Sequence, residues 1–411
     1  MSRLAYAAPF AFWIVALSPA AAVEPPAAND TVLDALKNGK VLLNVRYRYE
    51  HSGQDGFDED AHASTLRTRL GYETGAFKGL SALLEFENVT TLGPNDFNDT
   101  INGRTQFPVV ADPEATEVNR AQVSYVGVPN TRLVAGRQRI SLDNQRFVGA
   151  VGFRQNEQTF DAARVVTQSL PDVTASYAYV WQVNRIFGPD SDQGRFDSDT
   201  HLVNIAYDGL PFLTAVGYAY LVDLEEAPRL SSQSLGVRLL GRHALSETAA
   251  LTLTGEYARQ SDYGGNAGDF GLDYFLVEGR AEIGRFSAKA GYESLEGDGT
   301  NAFQTPLATL HAFQGLTDVF LVTPPDGIEE VYVSTSYGFG DLGLFRKVSV
   351  NAVYNDFSAE NTSQDLGREW SVLAKARLFD QVGLSAQYAS YDGGGFAADR
   401  DRLWLTVSFA L

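Results

Sequence analysis

Cysteine is missing from this chain altogether. That excludes a disulfide scaffold, thiolate metal sites and thiol catalysis. Methionine occurs once, as the initiator. Histidine is scarce, limited to His51, His62, His201, His243 and His311. None of these stands in an HExxH motif or in close His/carboxylate ligand spacing. No GxSxG, P-loop or Rossmann glycine pattern follows a strand and opens a helix. His62 and Ser64 are near neighbours, but nothing supplies the rest of a nucleophile–base constellation. The chain therefore reads as a non-enzyme with no cofactor and no metal. The acidic loops Asp55–Asp60 and Asp190–Asp199 offer oxygen ligands for Ca²⁺, yet neither has EF-hand spacing, and solvated loop charge is the simpler reading. Net positive charge is lacking as well: the formal charge is −19, which argues against general binding to nucleic acid.

Long apolar runs are equally lacking, with one exception. Arg3 precedes an apolar run from Leu4 to Leu17, and Ser18-Pro19-Ala20-Ala21-Ala22 follows with small residues. The run is too short for a bilayer-spanning helix and reads as a secretory signal peptide, residues 1–22, cut after Ala22. Residues 23–40 read as a short periplasmic segment with room for one helical turn around Thr31–Leu36. Only a short segment thus precedes the first strand, which leaves no room for the plug domain of a TonB-dependent receptor.

What is present in quantity is glycine, with 38 residues, and aromatics, with 25 Phe and 19 Tyr. This is the composition of a large all-β protein. The mean hydropathy of −0.16 suits a soluble protein and a transmembrane barrel equally, because only every second barrel residue faces lipid. From Val41 onward the chain alternates. Val41, Leu43, Val45, Tyr47 and Tyr49 interleave with Leu42, Asn44, Arg46, Arg48 and Glu50. That is the period of a strand with one apolar face. Eighteen such segments follow one another, from Val41–Glu50 through Arg132–Ile140 and Phe212–Leu224 to Arg402–Phe409. Short turns such as Pro129–Thr131 mostly alternate with long connections such as Thr90–Thr116, Arg185–Asp199 and Glu296–Glu329. An even strand number with alternating loop lengths predicts residues 41–411 to be an 18-stranded antiparallel transmembrane β-barrel with short periplasmic turns and long extracellular loops. Aromatics near strand ends, among them Tyr47, Tyr72, Phe86, Tyr177, Trp181, Tyr257 and Tyr354, fit interfacial girdles.

If the apolar face meets lipid, the alternate face lines the lumen. A charge on the lipid face at mid-membrane costs about 2–4 kcal/mol. This assigns Arg46, Arg48, Arg67, Arg69, Arg120, Arg137, Arg139, Arg238, Arg280, Lys289, Lys375 and Arg377 to the interior. Glu50, Glu73, Glu85, Glu87, Glu256, Glu278, Glu282 and Glu293 fall on the same face. Two readings stand side by side: an Arg/Glu lattice that stiffens the wall, and an arginine-lined path for anions in which unpaired Arg dominates.

Two stretches carry more than generic barrel character. One is Gly136-Arg137-Gln138-Arg139 with Arg146-Phe147-Val148-Gly149, Phe153-Arg154-Gln155 and Phe160-Asp161. The other is Thr305–Gly315 with Asp318, Phe320-Leu321 and Pro324. Both resemble the alginate-export porin family of Gram-negative outer membranes. The resemblance implies a monomeric eighteen-stranded barrel and an arginine-rich passage for a polyuronate. It makes Arg137, Arg139, Arg154 and Arg164 the candidates for that passage. The second stretch is unusually apolar for an external loop, with Phe303, Leu307, Leu310, Phe313, Leu316, Val319, Phe320 and Leu321. It either folds into the mouth as a constriction involving Thr305, His311, Phe313 and Asp318, or packs over the rim.

The leading expectation is a passive channel in outer-membrane lipid for anionic small molecules or polysaccharide. The alternatives are a porin without anion preference, a structural or adhesin barrel with a filled lumen, and an outer-membrane hydrolase, against which the missing catalytic constellation counts.

Overall fold

The structure is a computed structural model and describes residues 28–411. The expected leader, residues 1–22, lies outside the described residues. A two-residue strand segment, Ala28–Asn29, pairs parallel with Ala76–Phe77 outside the barrel ladder, and after it comes a helix of one and a half turns, α1 (Val32–Lys37), capped by Thr31, whose side chain accepts from the Asp34 amide. Eighteen strands follow in chain order: β1 (Lys40–Gln54), β2 (Ala61–Glu73), β3 (Leu80–Asp96), β4 (Ala115–Val128), β5 (Thr131–Gln138), β6 (Thr159–Leu170), β7 (Val173–Asn184), β8 (Arg195–Leu210) and β9 (Leu213–Val222). The second half comprises β10 (Ser232–Ala244), β11 (Ala249–Asp262), β12 (Gly271–Ile283), β13 (Phe286–Leu295), β14 (Ile328–Leu342), β15 (Phe345–Ser358), β16 (Asp365–Leu378), β17 (Val382–Asp392) and β18 (Arg400–Ala410). Each strand pairs antiparallel with the next, and β18 returns to pair with β1 from Asn44↔Ala410 to Gln54↔Arg400. The sheet has no open edge, which is the condition for strand backbone to sit in hydrocarbon. No described helix is long and apolar enough to cross a membrane, which says nothing against crossing by strands.

Alternation decides which face goes where. In β1, Val41 is 61% exposed on the outside while Arg48 is 3% exposed on the inside. Register carries this around the wall: Val45 faces Thr68 and Arg46 faces Arg67 on adjacent strands. The outer surface is a belt of Leu, Val and aromatic side chains, including Leu70, Phe86, Val123, Leu235, Leu253, Val277 and Val333, all exposed. Such a surface is stable only against lipid. Towards one end, outward tyrosines hand their hydroxyls to polar groups on the same face: Tyr49 to His62 at 2.8 Å, Tyr177 to His201 at 2.9 Å, Tyr257 to Asp273 at 3.0 Å and Tyr388 to Asp401 at 2.7 Å. A ring in lipid with its hydroxyl at a polar boundary is the arrangement of an interfacial girdle.

Every expected strand is present. Two end early. The segment expected at Arg132–Ile140 stops at Gln138, because Arg139 turns inward to carboxylates and Ile140 is buried beneath the loop that follows. The segment expected at Phe212–Leu224 runs only from Leu213 to Val222. Phe212 occupies a left-handed turn position at φ 62°, and the Leu224 amide bonds the Ser231 hydroxyl instead of a strand neighbour. Connections at one end are brief, among them residues 129–130, 171–172, 211–212 and 284–285; the opposite end carries residues 97–114, 139–158 and 296–327. We call these the turn end and the loop end.

The apolar core lies inside the barrel. Phe160, Val180, Tyr218, Tyr220, Tyr274, Phe357 and Tyr391 from the wall meet Phe147, Val148, Phe303, Leu307 and Phe320 from the two longest connections. One side of the loop-end lumen is thus packed with aromatics, while β1, β2, β3 and β18 line the other side with charge.

Candidate functional site: the barrel lumen

Two connections cross the lumen, and a third, residues 97–114, brings Asp112 into it. The first, residues 139–158, crosses to the charged wall. Arg46 on β1 donates through Nε to Gln155 Oε1 at 2.8 Å, through Nη1 to the Gly152 carbonyl at 2.8 Å, and also to the Arg154 carbonyl. Gln155 in turn donates through its side-chain amide to Thr65 Oγ1 on β2 at 2.8 Å, and its backbone amide donates to Asp112. The second connection, residues 296–327, runs alongside the first. Gly149 N donates to the Leu307 carbonyl, and Gln158 donates to the same carbonyl at 2.9 Å. Arg146 joins both to the wall: it reaches Glu293 on β13, Thr305 Oγ1 and Gln314 Oε1 at 2.8, 2.9 and 3.1 Å.

The deepest knot is centred on Asp318. Its carboxylate accepts from His311 Nδ1 at 2.7 Å, from Arg154 Nη2 at 2.7 Å and from Arg402 Nη1 on β18 at 3.0 Å. Glu50 on β1 lies within reach of both arginines, at 3.2 Å from Arg154 and 3.5 Å from Arg402. His311 stacks on Phe153 with ring centroids 3.5 Å apart, and Phe153 also receives the Arg48 guanidinium at 4.2 Å. Nearby, Glu369 on β16 accepts the backbone amides of Leu316 and Thr317. Inward residues of β1, β13, β16 and β18 therefore hold one segment, Thr305–Asp318, and the segment lies within the mouth of the barrel and not over its rim. Thr305, His311 and Asp318 are buried and Phe313 is half-buried under Arg146, 4.8 Å from ring centre to guanidinium. Burial alone would push the Asp318 carboxyl upward, but His311 and then Arg154 and Arg402 outweigh it and hold it well below the usual carboxylate range. The His311 ring is held below its ordinary value, because burial opposes its charged form more than Asp318 favours it.

The arginines expected in the lumen divide into two groups. Arg69 meets Glu87 and Glu157, Arg120 meets Glu85 at 2.7 Å, Arg139 meets Glu157 at 2.6 Å, and Arg238 meets Glu256. Arg137 forks onto Asp161 at 2.7 and 3.0 Å; pairing runs in unbroken register from Leu133 to Arg137, so Arg137 shares the parity of the outward Leu133 and not the lumen face expected of it. Arg154 lies on the first inward connection, paired as described. Arg48 stands 3.7 Å from Asp112. An excess of unpaired Arg in this half of the lumen is thus not found. Strand periodicity places strand residues alone, and the folded connections bring Asp112, Glu157 and Asp318 to them. Glu369 and Arg402 on strands, and Arg146 on a connection, were also missed; Arg146, a lone charge beside Phe147 and Val148, was the one visible sign.

The second group has no carboxylate within salt-bridge distance among the described residues: Arg46, Arg67, Arg164, Arg280 and Arg377. Arg46 is spent on the inserted connection, and Arg67 donates to Asn44. Arg164 bonds Ser176 at 3.1 Å. Arg280 and Arg377 sit near the turn end, on the inward parity of β12 and β16, with Lys375 one inward step from Arg377. They lie beyond the inserted connections.

No protein-family model matches the chain, and no curated protein matches it. Solved structures do. Pseudomonas aeruginosa OpdO is 18% identical over 92% of this chain and 98% of its own, with a TM-score of 0.70. Acinetobacter baumannii OccAB4 is 16% identical over 91% and 98%, with a TM-score of 0.72. Pseudomonas aeruginosa OpdK, solved with vanillate, is 16% identical over 92% and 99%, with a TM-score of 0.71. The likeness is one of fold. It extends over nearly the whole of both chains. Among the described residues no group of His, Asp or Glu is arranged to hold a metal ion.

Proposed function

We propose that this protein is an outer-membrane channel that passes small anionic solutes by diffusion. The lipid-type belt and closed sheet support the membrane placement, and the Opd and Occ porins of like fold support the transport reading. We place the turn end in the periplasm and the loop end outside, with export by the leader of residues 1–22 and function as a monomer. The observation that carries the anion assignment is the second group of cations. Arg164, Arg280 and Arg377 face inward with no carboxylate at salt-bridge distance among the described residues, in a low-dielectric wall that focuses their field into the pore. Guanidinium stays charged at any working pH and matches a carboxylate in shape. Carboxylates are therefore the favoured class. Uronate oligomers belong to it by the resemblance of the two stretches; vanillate, found with OpdK, is another carboxylate of the class. The inserted segment Thr305–Asp318 serves as the constriction.

Heavy ion pairing at the loop end favours a second reading, a porin without anion preference. Reversal potentials in planar bilayers under a salt gradient separate the two. Anion preference is expected, and Arg280→Ala with Arg377→Ala should weaken it, more at low salt than at high salt, since salt screens what remains. Uronate oligomers should block the current transiently. Cation selectivity in the intact protein would remove the anion assignment and leave the general porin.

A further inference from the structure

The short helix before the barrel has a face that nothing in the fold explains. Val32, Leu33 and Leu36 are 56, 58 and 49% exposed, on a helix of one and a half turns. Spacings of one and four put the three on a single side, with Asp34 opposite and Lys37 at its flank. The helix is not loose. Its Ala35 is buried, the Ala35 carbonyl accepts from the Gly75 amide at 2.8 Å, and Tyr72 donates its hydroxyl to the Leu36 carbonyl.

Tyr72 tells where the helix sits. In register it stands between Val41 on β1 and Leu84 on β3, both on the outer face and 61 and 45% exposed. The bonded carbonyl therefore lies against the outside of the wall at the turn end. The apolar face of the helix stands at the margin of the lipid-facing belt, next to the strand that carries Tyr72. We infer that α1 lies in the headgroup region of the leaflet at the turn end, with Val32, Leu33 and Leu36 entering the acyl boundary and Asp34 and Lys37 in water. A helix this short does not anchor a protein by itself. Held by Tyr72 and Gly75, it acts as a collar that fixes the height of the barrel in the membrane and seals the strands where the belt thins. The inference rests on the membrane placement of the barrel and is independent of what the channel passes.

The absence of cysteine makes the test direct. Leu36→Cys, Asp34→Cys and Leu70→Cys, the last in the middle of the belt, are each labelled with an environment-sensitive fluorophore in the full barrel and reconstituted into phosphatidylethanolamine/phosphatidylglycerol vesicles. The Leu36 label should emit to the blue of the Asp34 label. Headgroup-proximal doxyl lipid should quench it, and aqueous iodide should quench it less than the Asp34 label. A Leu36 label quenched by iodide as strongly as Asp34 and untouched by doxyl lipid, with Leu70 quenched by lipid, would overturn the collar alone and leave this face to a soluble partner. Failure of lipid to quench Leu70 would overturn the membrane placement and the collar with it. Should Leu36→Cys fold poorly, Leu33→Cys reads the same face.

Discussion

Replacing Asp318 with Asn is the sharpest single perturbation of the inserted segment. The amide keeps the shape of the carboxylate and removes its charge. Three donors converge there, from His311, Arg154 and Arg402, at 2.7, 2.7 and 3.0 Å. An amide oxygen can still accept from one of them, but the amide nitrogen would then face another donor. Glu50, at 3.2 and 3.5 Å, would be left to balance both guanidinium groups, helped only by Asp112 at 3.9 Å from Arg154. Removing one partner of a buried ion pair typically costs about 3–5 kcal/mol. Glu50 remains, so the lower figure applies, about 3 kcal/mol. At about 1.4 kcal/mol per decade this shifts docking of the segment against the wall by roughly a hundredfold. The barrel should be untouched, because its strands are held by their own ladders. Single-channel recordings of D318N should therefore show larger or noisier conductance, while the protein still resists SDS at room temperature and shifts on boiling. Conductance and noise equal to the parent in such a folded barrel would refute the reasoning. The segment would then be held by its apolar side chains, Phe303, Leu307 and Phe320, with the ionic knot contributing nothing.

Three further outcomes follow from the same geometry. His311 has a lowered pKa in the docked segment, so docking is fully supported above the free histidine value of about 6.5 and weakens as pH falls below it; current noise should rise on acidification through that range, and His311→Gln should abolish the dependence. The Asp318 carboxyl is depressed, so its contribution is present above the ordinary carboxylate value and lost only below it, and D318N should differ from the parent throughout the same titration. Deleting residues 305–314 should raise conductance, since it removes chain lying across the mouth while leaving Arg146 its Glu293 partner; unchanged conductance in a folded deletion would show that the pore narrows elsewhere.

The wall was legible in the sequence because one physical rule governs it. Lipid outside and water inside force period two, and a one-residue error would put Arg46 or Arg280 into hydrocarbon, so strand number, order and facing could be read from residue type alone. The rule fails where its cause fails. At the loop end of β6 to β17 the inward positions meet packed chain and not water, so Phe160, Tyr274 and Phe357 are as apolar as their outward neighbours, and alternation no longer says which side is which. The connections obey no period at all. Nothing local marks Asp112 or Glu157 as lumen residues; their partners Arg48 and Arg69 are separated from them by 64 and 88 positions in the chain. The apolar content of Phe303–Leu321 was the one local signal, because a segment that would expose so much apolar surface must find cover, and the nearest cover is the aromatic side of the lumen. That same argument explains why counting strand arginines overstated the positive charge of the mouth. A segment pulled inward by its apolar side chains brings its polar ones with it, and in a low-dielectric lumen an unpaired carboxylate such as Asp318 is tolerable only opposite a cation. The arginines of the charged wall are therefore the natural anchors for the inserted chain. The cations left for a passing solute are those beyond its reach, towards the turn end, which is where selectivity in this barrel should be sought.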